Sequence, residues 1–157
     1  MNIKKPIRII GRREFVDLPL LNIKHTEAKI DTGAFSSAIH CEDIKVVTEK
    51  GKDYLTFTLP AEFYPDNKTQ IHKIDTFTQK KIKNSFGEAE ERYIIRTKIR
   101  IGHKLINADF SLSDRKSMRY PILIGRKAIK GKFIIDVKHA HLNGKKLSLY
   151  LKQIQKK

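Results

Sequence analysis

The chain has 157 residues, 39% of them apolar, and a formal net charge of +16. That length and composition suit one domain with a real core and exclude a disordered chain. No apolar run approaches the roughly 18 residues a transmembrane helix needs, the start "MNIKKPIRIIGRREF" is too broken for a signal peptide, and the lone Cys41 permits no internal disulfide; a cytoplasmic protein without a membrane partner is expected.

Residues 9–21, "IIGRREFVDLPLL", open the patterned part of the chain. Next comes "AKIDTGAFSSAIH" (28–40), an apolar lead-in ending in an acid, a hydroxyl and a glycine, followed by small residues. "YLTFTL" (54–59) alternates as a strand and stops at Pro60. "NSFGE" (84–88) is a tight-turn signal between two stretches able to pair. In "YIIRTKIRI" (93–101), Ile95, Thr97, Ile99 and Ile101 share one face, with Arg96, Lys98 and Arg100 on the other. "GHK" and "LINADFSL" (105–112) complete a hairpin. "RYPILIG" and "KFIIDV" suit short buried strands, and "GRKAIKG" (125–131) has room for one helical turn. The basic tail, 145–157, fits either a strand or a helix. No repeat or Gly/Ser/Pro-rich linker divides the chain, so residues 1–157 form one domain in this reading. The fold class is all-β, a small barrel or sandwich.

The charge is uneven. Residues 101–157 hold 14 Lys/Arg against 3 Asp/Glu, and residues 1–50 hold 9 against 7. An acidic partner accounts for this bias, as does a solvated basic face.

Asp31-Thr32-Gly33 is the candidate site. Peptide hydrolysis needs an activated water and a proton donor, and two close carboxyls supply both, because like charges at contact cannot both ionise. Such a carboxylate needs a rigid turn with little bulk. Gly33 permits close backbone approach, and the Thr32 hydroxyl offers a bond to lock the turn. An isolated Asp-Thr-Gly is usually only a turn. The second element, "YPILIGRKAI" (120–129), places apolar residues before Gly125-Arg126 late in the chain.

These segments, with "FGEAEERYIIRT" (86–97), "SLSDRKSMRYPILIGRKAI" (111–129) and "FIIDV" (133–137), resemble the bacterial retropepsin-like aspartic peptidase family over residues 8 to 137. Members also carry the label ATP-dependent zinc protease and are associated with ligases that add glutamates to a ribosomal protein. The resemblance implies a closed retropepsin-like barrel with one short helix, Asp31 as the catalytic carboxylate, and Thr32 and Gly33 as its turn. It implies Arg126 as an ion-pair or hydrogen-bond donor near the site. Viral retropepsins have acidic residues after Asp-Thr-Gly-Ala for that arginine, and here "FSSAIH" stands in their place. With one Asp-Thr-Gly per chain, a homodimer supplying two Asp31 carboxyls is favoured over an in-chain second acid (Asp109, Asp114 or Asp136).

The resemblance also makes "NSFGEAEERY" the candidate for a substrate-covering flap, with Asn84, Ser85 and Gly87 at its tip, an ordinary surface hairpin being the alternative. Ala34, Ser85, Gly87, Arg92 and Arg126 are the candidate substrate-binding residues, arginine forks being suited to carboxylates. α-Linked polyglutamate or another acidic peptide is the implied substrate.

No cofactor is expected. The sequence has no His-Glu-x-x-His, no Cys-x-x-Cys and no Gly-x-x-x-x-Gly-Lys-Ser/Thr loop. His139 with His141, and His40 with Cys41, are spaced unlike zinc ligands. Ser36, Ser37 and His40 read as support for the Asp31 turn. The competing reading is a basic β-barrel that binds RNA, a ribosomal protein or acidic peptides without cutting them.

Overall fold

The structure is a computed structural model that describes residues 6–83, 86–114 and 119–155. It begins with β1 (Arg8–Gly11) and β2 (Arg13–Leu18). A 3-10 turn over Pro19–Leu21 leads into β3 (Ile23–Asp31), then β4 (Ser37–His40), β5 (Glu42–Glu49) and β6 (Lys52–Leu59). A second 3-10 turn, Ala61–Phe63, precedes β7 (Gln70–Ile74), β8 (Thr78–Lys83), β9 (Ala89–Ile101) and β10 (Lys104–Ser113). β11 (Ile122–Gly125) runs straight into α1 (Arg126–Ile129). β12 (Phe133–Asp136), β13 (Lys145–Lys146) and α2 (Leu147–Gln155) complete the described chain.

The apolar alternation decides which strands close on one another. Ile95, Thr97, Ile99 and Ile101 of β9 are buried, while Arg96, Lys98 and Arg100 are exposed. Ile106, Ala108, Phe110 and Leu112 of β10 face the same interior. Six strands pair in the order β10-β4-β11-β3-β2-β9, and β9 pairs back with β10, closing a barrel. Closure removes the free edges an open sheet would expose.

β9 is long enough for two tasks. Its residues 93–101 build the barrel wall with β10, and its residues 89–94 pair with β8 in a projecting hairpin. β5, β6 and β7 form a separate antiparallel sheet, and Leu55, Phe57 and Leu59 of β6 join the same apolar cluster as the barrel residues. The Tyr64 hydroxyl donates to the Leu21 carbonyl at 2.9 Å, tying the end of that sheet's second 3-10 turn to the barrel. A third sheet, β12-β1-β13, brings both ends of the described chain together. The expected barrel and helical turn are present, and the ambiguous tail resolves as two strand residues followed by a second helix.

Candidate active site

Asp31 is the last residue of β3. β11 lies parallel to β3, pairing Ile124 with Ile30 and Gly125 with Asp31. The sequence then leaves the sheet in both strands at once, β3 into the Asp-Thr-Gly turn and β11 into α1.

Backbone bonds fix these two exits against each other. Arg126 N–H donates to Ala34 O at 2.9 Å, and Lys127 N–H donates to Phe35 O at 3.1 Å. The buried Gly125 N–H donates to Ser37 Oγ at 3.0 Å. Within the turn, Ala34 N–H donates to Asp31 O at 3.2 Å, and Gly33 N–H donates to Asp31 Oδ1 at 3.1 Å, holding the half-exposed carboxylate over its own turn. Arg126 Nη1 donates to both Thr32 O and Gly33 O at 3.2 Å. Its guanidinium carbon also lies 5.6 Å from the Phe35 ring centre.

This arrangement corrects one expectation. Among the described residues the turn is locked by Gly33 N–H and by Arg126, while the exposed Thr32 hydroxyl takes no part in those bonds. It also explains how a retropepsin-like Gly-Arg works without a nearby acid: the arginine satisfies turn carbonyls instead of a carboxylate.

The in-chain acids are held by other partners. Asp109 accepts from Lys127 at 2.9 Å and from Arg96 at 3.1 Å, and the Lys127 bond first of all holds its carboxyl below the usual range. Asp136 accepts from Tyr150 and lies 2.6 Å from His139 Nδ1; these bonds, Tyr150's foremost, bring its pKa to about 2. Asp114 lies 3.6 Å from the buried His40 ring. Neither Asp109 nor Asp136 suits a carboxyl that must stay protonated.

Of the other expected site residues, Ala34 sits in the turn, bonded to Asp31 and Arg126 as above. Arg92 lies on β9 where the hairpin leaves the barrel. Gly87, at the hairpin tip, has φ +79 and open space around it, so a glycine suits that bend. Ser85 and Asn84 lie outside the described residues. His141 Nε2 is 2.7 Å from Glu27 Oε2, and Cys41 is buried, with burial pushing its thiol to about 12. Among the described residues, no group of three or more His, Cys, Asp or Glu side chains is placed to hold a metal.

A cavity of about 420 Å³ opens beside the turn. Phe35–Ala38 form one wall, Thr76, Phe77, Thr78 and Lys80 another, and β9 and β10 with Lys127 the rest, bringing Arg92, Arg96, Asp109 and Ser111 to the cavity. The sequence marks Arg92 as a candidate but not Lys80, Ser111 or Lys127, because nothing local marks a lysine on a hairpin arm as lining a cavity. Glu14 was also missed. It is fully buried and accepts from Gly11 N–H at 2.7 Å and from Leu142 and Asn143 N–H at 2.8 Å. A signal existed: Glu14 shares the parity of the buried Val16 and Leu18.

A closed barrel carrying Asp-Thr-Gly on one strand, braced by an apolar-Gly-Arg strand beside it, defines the retropepsin class of folds. A family model described as retropepsin-like aspartic endopeptidase RimB matches residues 9–146, and the chain belongs to this RimB-like family. Its curated relatives include a probable alpha-L-glutamate ligase of Desulfotalea psychrophila, 33% identical over 133 residues that cover 82% of this chain and 28% of the relative. Another, of Shewanella pealeana, is 30% identical over 149 residues, 93% of this chain and 32% of the relative. The chain therefore spans less than a third of the length of these relatives. A Legionella pneumophila crystal structure, of a protein with unknown function, matches with TM-score 0.69 and 28% identity over 87% of this chain and 98% of that one.

Proposed function

We propose that the chain hydrolyses peptide bonds as an aspartic-type peptidase, working as a homodimer in which two Asp31 carboxyls share one site, on an acidic, glutamate-rich peptide. The observation that carries this reading is the braced turn: Asp31 projects from a loop clasped by Arg126 and by Gly33 N–H, with no bulk at residue 33.

The dimer follows from the chemistry. One carboxylate takes a proton from water while a second, protonated carboxyl donates to the scissile carbonyl oxygen. The resulting tetrahedral centre collapses with proton transfer to the departing nitrogen. A second copy of Asp31 supplies what Asp109 and Asp136, held ionised by their partners, do not.

The substrate class rests on charge and on the relatives. A chain of net charge +16 attracts polyanions. Longer relatives named as glutamate ligases contain a segment like this chain, which fits a peptidase and a ligase that share a glutamate-rich peptide.

The test incubates wild type and Asp31→Ala with an α-linked oligoglutamate and with a mixed peptide library, reading products by mass spectrometry. Cleavage by wild type alone is expected. Equal cleavage by both proteins, or none by a folded dimeric wild type, contradicts the reading.

A further inference from the structure

The cavity beside the turn carries polar groups that the fold leaves unused. Among the described residues, Arg92 Nε and Ser111 Oγ are buried without a hydrogen-bond partner, and both residues line this cavity. Ser111 is only 5% exposed. A buried donor left unpaired costs about 1–3 kcal/mol, more when charged, so two such groups on residues that line one cavity favour a ligand that satisfies them.

Charge placement agrees. Lys80 of β8 stands directly opposite Arg92 of β9, and both line the cavity. Like charges facing each other across a ladder are destabilising. Arg96 and Lys127 also line it, sharing the carboxylate of Asp109 between them. Among the described residues Arg92 pairs with Glu90, 3.5 Å from Nη2, and that contact does not engage Nε. The wall therefore holds four cations against one lining carboxylate.

We infer that this cavity is a specificity subsite for one acidic side chain of the bound peptide, with Arg92 Nε and Ser111 Oγ as the hydrogen-bond donors and Lys80 as the second cation. A carboxylate there accepts from both unpaired groups and relieves the Lys80–Arg92 repulsion. The Phe35–Ala38 wall continues directly from the Asp31 turn, so the subsite adjoins the bond to be cut. This inference rests on the peptidase reading for its meaning but not for its test, which measures binding.

The test uses full-length Asp31→Asn, which cannot turn over its ligand, and calorimetric titration with α-linked tetraglutamate and tetraglutamine at fixed salt. Tetraglutamate is expected to bind at least tenfold more tightly. Arg92→Gln should weaken it by about tenfold or more and Ser111→Ala by a smaller factor. Arg92→Lys should fall between, keeping charge while losing the fork. Lys45→Gln, on the exposed side of β5, controls for net charge and should leave affinity within about twofold. Thermal melts confirm that each variant is folded. Equal binding of both peptides, equal weakening by Arg92→Gln and Lys45→Gln, or no tetraglutamate binding overturns the subsite. If tetraglutamate binds as expected but wild type cuts nothing, the peptidase reading fails while the subsite stands.

Discussion

Gly125 is the ladder partner of Asp31, and only glycine fits there. A Cβ on Gly125 would lie 2.6 Å from the Ser36 carbonyl carbon and oxygen, which are backbone atoms that cannot swing aside. The same close approach lets Gly125 N–H reach Ser37 Oγ.

Gly125→Ala is predicted to cost about 2–4 kcal/mol, the upper range for overpacking, because the obstacle is main chain. Gly33→Ala makes the contrast. Among the described residues its Cβ would meet Asp31 Oδ1, at 3.3 Å, and no backbone atom beyond its chain neighbours. Stability should change by less than about 1 kcal/mol, while peptidase activity falls because the carboxylate is displaced. Urea unfolding and product assays separate the two effects.

Arg126→Ala removes both bonds to the turn carbonyls. These carbonyls are solvent-accessible, so the stability loss should be about 1 kcal/mol or less. Activity should fall by about tenfold or more, since a small misplacement of a reacting group is costly. A variant that loses stability and keeps full specific activity would show that the clasp does not position Asp31.

Glu14→Gln keeps the volume of the side chain and turns one acceptor oxygen into a donor facing backbone N–H groups. We expect a loss of about 2–4 kcal/mol in urea unfolding. Glu14 ties the β1–β2 turn to residues 142 and 143, so the β12-β1-β13 sheet should lose amide protection first.

His72 stacks near Phe57, with ring centres 5.7 Å apart, and burial lowers its pKa from the ordinary 6.5. As pH falls below 6.5 the unfolded chain takes up the proton before the folded one. The contribution is therefore present above 6.5 and is lost as pH falls toward the lowered folded value. Urea midpoints at about pH 7.5 and about pH 5.5 should diverge in wild type and diverge less in His72→Gln.

Legibility in the sequence followed the range of the interactions. The β9–β10 hairpin was readable because its alternation is local: Ile95, Thr97, Ile99 and Ile101 point inward as their spacing requires. So was the end of β6 before Pro60. The Asp31 turn and its Gly-Arg brace were legible only through a family resemblance, since their partnership spans more than 90 residues. Glu14 was not, because its acceptor role depends on residues 142 and 143 arriving from the far end of the chain. The tail stayed ambiguous because α2 buries none of its residues: Leu149, Leu151 and Ile154 stay exposed, so no packing partner selects helix over strand.

The most direct test of the shared two-carboxyl site is a subunit titration. Wild type and Asp31→Asn are mixed at fixed total concentration, allowed to exchange subunits, and assayed on oligoglutamate. If both Asp31 residues are required, an equal mixture retains about a quarter of wild-type activity, following the square of the wild-type fraction. Retention of about half, falling linearly, would mean that each chain holds a complete site and would contradict the account.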